Sequence, residues 1–433
     1  MRMPQRFKRL TVTFFAVKCM QYLIVFFSPS QFDTSTALFL SEYQLYSDLK
    51  WYHKLLSWDS VFFVKNAIQF IDNGNKGLSF WWGRAVPQYE HEWVFSPFSW
   101  SSLLGYVGSK EVIGFDLVDN IVLKGSLLNF FIHYVSVWIL YALTLQTFPK
   151  NSELAYKTAL LFILSSAGGF LLAPYSEPLS FILAFLGMLM RGYALCYNVY
   201  GHISFKYYGW IPYMLSAVAF SLATASRSNC IILGVYYVYD LFKLLKQRDF
   251  IRAFWFPFIA GFMMLMLYCY IHYYLPYYFL CPYQQEWCSL SLPIFSIPYT
   301  SFYSFLQGKY WNIGFLNYWS LNNVPNFVLS LPNIVLIWYS TIYFSYQYPL
   351  ESLRPLVYIT RLLLIILTFF AHVQIINRVF TFIPLHLWYL SDRLIKTTGY
   401  AKGDDKLVYL YIHWLFFWIP LQTVLFAAFL PPA

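Results

Sequence analysis

The residues best suited to chemistry include an aspartate inside an apolar segment. Asp59 directly follows Trp58 in KLLSWDSVFF, although charged residues make up only 11% of the chain. A carboxylate beside aromatic residues and partly removed from water suits general base catalysis. The competing interpretation is a polar residue that caps or solvates a helix on a membrane surface, since Leu55, Trp58 and Phe62 recur at helical spacing. The residues alone leave both interpretations open.

A second acidic cluster follows Asp59 in the same stretch between apolar runs. Glu90, His91 and Glu92 occur in QYEHEW, where they could support the base or bind substrate hydroxyl groups. Neighbouring residues do not converge on one ion and the sequence has no H-E-x-x-H spacing, so we expect no metal site. Glu177 lies in the turn PYSEP, where it either caps a helix or belongs to the same site.

Two arginines lie at the ends of apolar runs and could bind phosphate. Snorkelling toward the membrane surface is the ordinary role of such arginines. The planar guanidinium also suits phosphate recognition, and polar neighbours favour that role slightly. The two are Arg227, beside Asn229 in SRSN, and Arg378, which follows His372 and Gln374 in HVQIINR.

Composition decides the environment of these residues. The 433 residues are 59% hydrophobic and 23% aromatic, which is too much apolar surface for soluble domains of ordinary size. The sequence therefore predicts an all-α membrane protein that spans the bilayer many times. Although the net charge is +10, the lysines and arginines are scattered between apolar runs, which indicates membrane topology rather than nucleic-acid binding.

The apolar runs predict a single polytopic domain over residues 1–433, with about 11 transmembrane helices. The basic residues of the connecting segments place the N-terminus in the cytosol. Two longer segments, 28–119 and 275–325, then lie on the opposite face. The expected spans are 10–27, 120–146, 157–173, 176–193, 208–225, 229–246, 252–274, 326–346, 356–372, 378–391 and 408–428.

This topology brings the polar clusters to one face of the membrane. The segments SWDS, QYEHEW, PYSEP, SRSN, CPYQQEWC and HVQIINR all emerge opposite the N-terminus. We therefore expect helix ends on that face to assemble one site from distant parts of the chain. Ionisable groups at one interface, rather than near the bilayer midplane, favour an enzyme over a transporter.

Two cysteines in a polar loop on that face form a candidate disulfide. Cys281 and Cys288 flank PYQQEW, a spacing that a disulfide can close in an oxidising compartment. Free thiols are the alternative, whereas a zinc site would need a second Cys or His pair of suitable spacing. The other cysteines lie in or beside apolar runs, where a thiol behaves as a small hydrophobic group.

Several motifs together resemble a known family. LLSWDSVFF, YEHEWVFSP, YSEPLSF, SRSN, HVQIINR, PLHLWY and LFAAFLPPA occur in an order similar to that of the PIG-V family of GPI mannosyltransferases, above all its fungal members. The resemblance runs from QFDTSTAL to the last residue and is weakest at residues 71–86. It implies a GT-C glycosyltransferase of the endoplasmic reticulum membrane, with the two long loops in the lumen.

The resemblance also implies a reaction and its partners. Such enzymes transfer mannose from dolichyl phosphate mannose, in α1,6 linkage, as the second mannose of the GPI anchor precursor. Fungal members work with a small membrane-spanning accessory subunit. Asp59 would be the base, and Arg227 and Arg378 would stabilise the leaving phosphate without a metal. The other candidates for substrate binding are Trp58, Glu90, His91, Glu92, Glu177, Asn229, His372 and Gln374.

Three other classes of function stay open from the residues. Another glycosyltransferase that uses a dolichyl-phosphate sugar would share the base and the phosphate groups and differ in its acceptor pocket. A lipid or solute transporter would also have many spans. A scaffold subunit without activity would tolerate neutralisation of Asp59.

Overall fold

The computed structural model describes residues 3–42, 49–72, 100–109, 116–198, 200–283, 286–292, 295–398 and 405–431. Helices dominate this part of the chain. Its strands form two short antiparallel pairs, in which β1 (Leu195–Tyr197) pairs with β2 (Ile203–Phe205) and β3 (Ser291–Leu292) with β4 (Phe295–Pro298). The expected helical architecture is therefore confirmed for these residues.

The α-helices are distributed over the whole described part of the chain. Those of the first half are α1 (Met3–Phe27), α2 (Ser35–Glu42), α3 (Asp59–Asp72), α4 (Trp100–Gly108), α5 (Leu117–Thr147), α6 (Ser152–Ile163), α7 (Glu177–Ala194) and α8 (Trp210–Ser226). Those of the second half are α9 (Val235–Lys246), α10 (Phe250–Ala253), α11 (Ile259–Cys269), α12 (Leu275–Leu280), α13 (Glu286–Ser289), α14 (Phe302–Trp311), α15 (Val324–Ile342), α16 (Arg354–Phe370), α17 (Ile376–Val379), α18 (Leu385–Thr398) and α19 (Lys406–Ala427).

Tighter and wider helical turns extend several of these helices or connect them. The 3₁₀ segments are Trp51–Leu55, Gly168–Leu171, Ser228–Gly234, Cys281–Tyr283, Leu321–Asn323, Glu351–Leu353, Val373–Ile375 and Phe380–Phe382. The π-helical segments are Phe254–Phe258, Tyr270–Tyr274 and Tyr343–Gln347. π-Helical turns often occur at functional sites, and the segment Tyr270–Tyr274 contains His272.

Among the described residues, seven helices are long and apolar enough to cross a membrane: Pro4–Phe27, Leu117–Thr147, Ser228–Lys246, Phe250–Leu280, Leu321–Gln347, Glu351–Phe370 and Lys406–Ala427. They coincide with seven of the expected spans, so the chain is a multi-pass membrane protein. The other expected spans correspond to the shorter helices α6, α7 and α8, and to residues 378–391, which are divided between several short helical segments. That these also cross the bilayer stays a prediction.

Local signals explain where several helices begin. The side chains of Asn151 and Asp405 accept backbone N–H bonds at the starts of α6 and α19, and Ser301 does the same for α14. These side chains satisfy amide groups that have no partner within the helix. Prolines occupy the first turns of α7, α15 and α16, where a missing N–H costs nothing.

The core is built around α7, which packs against α5 and α8. Phe181 and Phe185 of α7 are buried, and Phe162 of α6 meets both rings edge-on. Gly187 permits close approach of α8, since a Cβ atom there would lie 2.4 Å from the ring of Phe220. Because lipid is as apolar as these rings, shape complementarity rather than removal from water drives such association.

The directions of the helices bring distant segments to one end of the bundle. α7 begins at Glu177 and α8 runs back alongside it, so that Glu177 and Arg227 are in contact. The same end holds the start of α3 at Asp59 and the short helix α17, which carries Arg378. α7 has 18 residues and is about 27 Å long. This length separates the cluster from the opposite end of the bundle.

A small satellite core lies between α12 and α14. Cys281 and Cys288 form a disulfide there, with their Cα atoms 5.6 Å apart. Trp287 is buried beside the disulfide, packs edge-on against Phe302 at 5.0 Å, and donates its indole N–H to the carbonyl oxygen of Thr300. The disulfide therefore closes a loop that already has its own apolar core.

Candidate active site

The turn that leads to Asp59 is anchored to two spanning helices. Asp119 of α5 is buried and accepts hydrogen bonds from Lys50 (2.6 Å), Tyr52 (2.8 Å) and His53 (2.8 Å). The hydrogen bond to Asp119 raises the pKa of Lys50 above its ordinary value. Lys54 donates to a carbonyl oxygen just past the end of α1, at 2.5 Å, where a cation is favoured by the helix dipole. The residues before Asp59 are thus held from both sides.

Tyr175 clamps the backbone on either side of Trp58. Its hydroxyl accepts the backbone N–H of Asp59 at 2.8 Å and donates to the carbonyl oxygen of Ser57 at 3.2 Å. Burial raises the pKa of Tyr175 well above its ordinary value, and the charge of Asp59 adds to this effect. Trp58 has a φ of 57°, a left-handed conformation that costs about 1–3 kcal/mol. Strain of this kind persists only where the surrounding structure enforces it.

Asp59, Arg378, Glu177 and Arg227 form a chain of alternating charges. Nη1 of Arg378 donates to Oδ2 of Asp59 at 2.9 Å and lies 3.8 Å from Oε1 of Glu177. Nη1 of Arg227 donates to the same Glu177 oxygen at 2.6 Å. The side chain of Glu177 is 1% exposed, whereas that of Asp59 is 26% exposed. Glu177 therefore holds the two arginines together, and Asp59 stays accessible.

The contacts of Arg378 show a guanidinium held within the protein. Burial alone would lower the pKa of Arg378, but the charges of Asp59 and Glu177 raise it above its ordinary value. The guanidinium also lies over the ring of Phe170, at 4.7 Å from the centroid. A snorkelling arginine would extend toward the membrane surface, whereas this guanidinium contacts protein groups. It stays charged and can bind an incoming anion.

A cavity of about 170 Å³ opens beside this chain of charges. Asp59, Arg227 and Arg378 line one part of it. His372 also lines it and donates from Nε2 to the carbonyl oxygen of Trp311 at 2.8 Å. The other lining residues include Ser176, Ser228, Asn229, His272, Tyr303 and Gln307. A carboxylate, two arginines and several neutral polar groups suit a sugar linked to a phosphate.

Comparison with known proteins gives the family. The family described as Mannosyltransferase (PIG-V) matches at residues 7–353 and 348–433. The chain belongs to the PIG-V mannosyltransferase family. No solved structure matches it.

Three curated relatives carry the name GPI mannosyltransferase 2. The protein of Eremothecium gossypii is 64% identical over 429 residues, which is 99% of both chains. The protein of Kluyveromyces lactis is 46% identical and covers 98% of this chain and 97% of its own. The protein of Saccharomyces cerevisiae is 45% identical and covers 98% of this chain and 99% of its own. The similarity to PIG-V proteins thus extends over the whole chain.

Several predicted site residues of this PIG-V protein lie together. Asp59, Arg227, Asn229, His372 and Arg378 all line the cavity, and Glu177 contacts both arginines behind it. Oε1 of Glu177 contacts both arginines, and among the described residues no backbone N–H bonds to this side chain, so helix capping does not account for it. The residues come from four separate parts of the chain, as the expected topology requires.

Two predicted residues lie next to the cavity and do not line it. The ring of Trp58 packs against Phe429, at 5.4 Å between centroids. Oε1 of Gln374 accepts a hydrogen bond from the hydroxyl of Tyr318, whose ring stacks on His372. Both residues therefore support neighbours of the site. Glu90, His91 and Glu92 lie outside the described residues, and their role stays a prediction.

His272 and Tyr303 also line the cavity and were not predicted from the sequence. His272 lies in the π-helical segment Tyr270–Tyr274, and its Nε2 is 2.9 Å from Oγ of Ser228. The ring of Tyr303 lies 5.3 Å from that of His272. A histidine within an apolar span, as in YCYIHYY, is itself a signal for function in a PIG-V protein or any other membrane protein. The abundance of tyrosines around it obscured that signal.

Proposed function

We propose that this PIG-V protein transfers mannose from dolichyl phosphate mannose, in α1,6 linkage, to the GPI precursor as its second mannose. The relatives' shared name supplies the reaction class. The observation that carries the mechanism is the contact between Asp59 and Arg378 at the edge of the cavity. The contact supports a mechanism in which Asp59, as the base, lies next to a cation that takes up the leaving phosphate.

Asp59 removes the proton from the acceptor hydroxyl in the proposed mechanism. Its Oδ2 is held by Arg378, so its other carboxylate oxygen can face the hydroxyl that attacks the anomeric carbon. Attack from the face opposite the phosphate inverts a β-linked donor to an α-linked product. The proton goes to Asp59, and the bonding electrons of the broken C–O bond leave with the phosphate.

Arg378 and Arg227 stabilise the phosphate as it leaves. The charge on that phosphate grows in the transition state, where fixed cations are most effective. Glu177 keeps both guanidinium groups near one position before the donor arrives, so little reorganisation is needed. Asn229 and His372, together with Glu90, His91 and Glu92, would bind sugar hydroxyl groups or support the base. No metal is needed for these steps.

The proposed setting is the endoplasmic reticulum membrane with a cytosolic N-terminus. A GT-C architecture with about 11 spans would place segments 28–119 and 275–325 in the lumen. The disulfide of the second segment suits an oxidising lumen. A small membrane-spanning accessory subunit is part of this proposal through the family resemblance.

The decisive experiment uses defined substrates. Labelled dolichyl phosphate mannose and a GPI precursor with one mannose are given to membranes that carry or lack this protein. We expect the second mannose to be added only when the protein is present. A second acceptor for dolichyl phosphate mannose serves as control, because its use in place of the GPI precursor would favour a different glycosyltransferase. Transfer that continues unchanged without the protein would overturn the proposal.

The topology makes a separate prediction. Lys246 and Glu286 flank the spanning helix Phe250–Leu280, so they should face opposite sides of the membrane. Single cysteines at these positions, in a background without the native cysteines, are treated with an impermeant thiol reagent on sealed microsomes. We expect labelling at position 246 before permeabilisation and at position 286 only afterwards. Labelling of position 286 in sealed vesicles would contradict the proposed orientation.

A further inference from the structure

The residue next to Arg378 faces a second polar cluster behind the site. Arg378 belongs to α17, which has only 4 residues. An isolated helix of that length has no stability of its own, because the cost of nucleation is not recovered. Its neighbour Asn377 is 3% exposed and contacts residues of other helices. Tertiary contacts must therefore hold α17 in place.

Asn333 of the spanning helix α15 makes the central contact. Its Nδ2 donates to Oδ1 of Asn377 at 2.8 Å, and its Oδ1 accepts the hydroxyl of Tyr411 from α19 at 2.7 Å. Ser166 Oγ donates to the backbone carbonyl oxygen of Asn377 at 2.6 Å and lies 3.3 Å from Nδ2 of Asn333. Side chains from two other parts of the chain, Asn333 and Ser166, thus converge on Asn377, and Tyr411 holds Asn333 from behind.

Asn333 lies where an amide side chain is unfavourable unless its hydrogen bonds are satisfied. It is 3% exposed and lies inside a helix that crosses the membrane, where an amide side chain is unfavourable unless it is hydrogen-bonded. Both ends of its amide group are used. The bond to Tyr411 is enough to join α15 to α19. The bond to Asn377 is additional, and it contacts the short helix that carries Arg378.

We propose that Asn333 is a positioning residue for Arg378 and acts through Asn377. The inference rests on the proposed function, because the guanidinium must lie where the leaving phosphate develops its charge. Asn333 is not among the residues that line the cavity beside Asp59. Its bond to the side chain of Asn377 holds α17 in place, and with it the guanidinium that contacts Asp59 and Glu177. A displacement of even a fraction of an ångström at a reacting group lowers the rate.

The test is a double-mutant cycle between Asn333→Ala and Arg378→Lys. In the otherwise native protein we expect Asn333→Ala to lower kcat on the order of 10-fold, with the KM for the GPI acceptor unchanged. In the Arg378→Lys background the same change should lower kcat by less than about twofold, because the guanidinium that Asn333 positions is already absent. Equal losses in both backgrounds would refute the inference.

Matched variants separate positioning from folding. Ser340→Ala removes a different buried polar group from α15, a hydroxyl that among the described residues bonds only to the carbonyl oxygen of Ile337 in its own helix, and should leave kcat unchanged. If Asn333→Ala does not accumulate, Asn377→Ala replaces it in the cycle, since it removes the oxygen that accepts the bond from Asn333 and leaves Asn333 bonded to Tyr411. Reduced protein with normal turnover per folded molecule in either variant would show a merely structural role. A native protein that transfers no mannose would instead defeat the proposed function.

Discussion

The Asp59→Asn variant is expected to lose mannose transfer by a factor on the order of 10² to 10⁴ per folded molecule. Asparagine keeps the volume and an oxygen that can still accept a bond from Arg378, but it cannot take the proton of the acceptor hydroxyl. The clamp by Tyr175 involves only the backbone of Asp59 and should survive. The protein should therefore accumulate normally, and cells should collect the GPI intermediate with one mannose.

Two further variants sharpen this result. Asp59→Glu keeps the carboxylate and moves it by on the order of an ångström, so that misplacement alone should cost much of the activity. Asp33→Asn is the matched control, since Asp33 is an exposed aspartate whose side chain, within the described part of the chain, accepts only the backbone N–H of Ser35. Near-normal turnover in Asp59→Asn would move the base elsewhere, and Glu92 would be the next candidate.

The Arg378→Gln variant is expected to lower kcat by a factor on the order of 10² to 10³. Glutamine removes the charge that neutralises the leaving phosphate, and it also leaves Asp59 without its cation. Arg378→Lys should lose less, because lysine keeps the charge but lacks the planar fork. Arg227→Gln should also reduce transfer, although Arg227 contacts only Glu177 and Ser176 among these groups.

The measurement is the rate of transfer at saturating donor, normalised to folded protein. Arg361→Gln is the control, because Arg361 is a partly buried arginine that bonds to Thr341 and Ser345 away from the site. Normal kcat in both Arg378→Gln and Arg227→Gln would show that neither arginine binds the phosphate. They would then serve only to join Asp59 and Glu177 to the fold.

Hydropathy and local motifs were enough to recognise the class of this protein. Seven of the 11 spans predicted from apolar runs are long helices in the described part of the chain, and SWDS, SRSN and HVQIINR marked residues that line one cavity. The positive charges in the connecting segments predicted which helix ends lie on the same side of the membrane. The roles of His272 and Tyr303 could not be predicted in this way. Aromatic residues that anchor a helix at the membrane surface occur in the same local sequence pattern as aromatic residues that line a binding site.

The sequence by itself determined the membrane environment, the family and the kinds of groups available for chemistry. Each of these depends on residues that are close in the chain. Only the tertiary structure decided that Asp59 contacts Arg378, 319 positions away, and that Asn333 reaches the turn beside it. Lipid solvates apolar side chains as well as protein does, so hydrophobicity does not select which helices pack together. That choice rests on shape and on single buried hydrogen bonds, which no local pattern records.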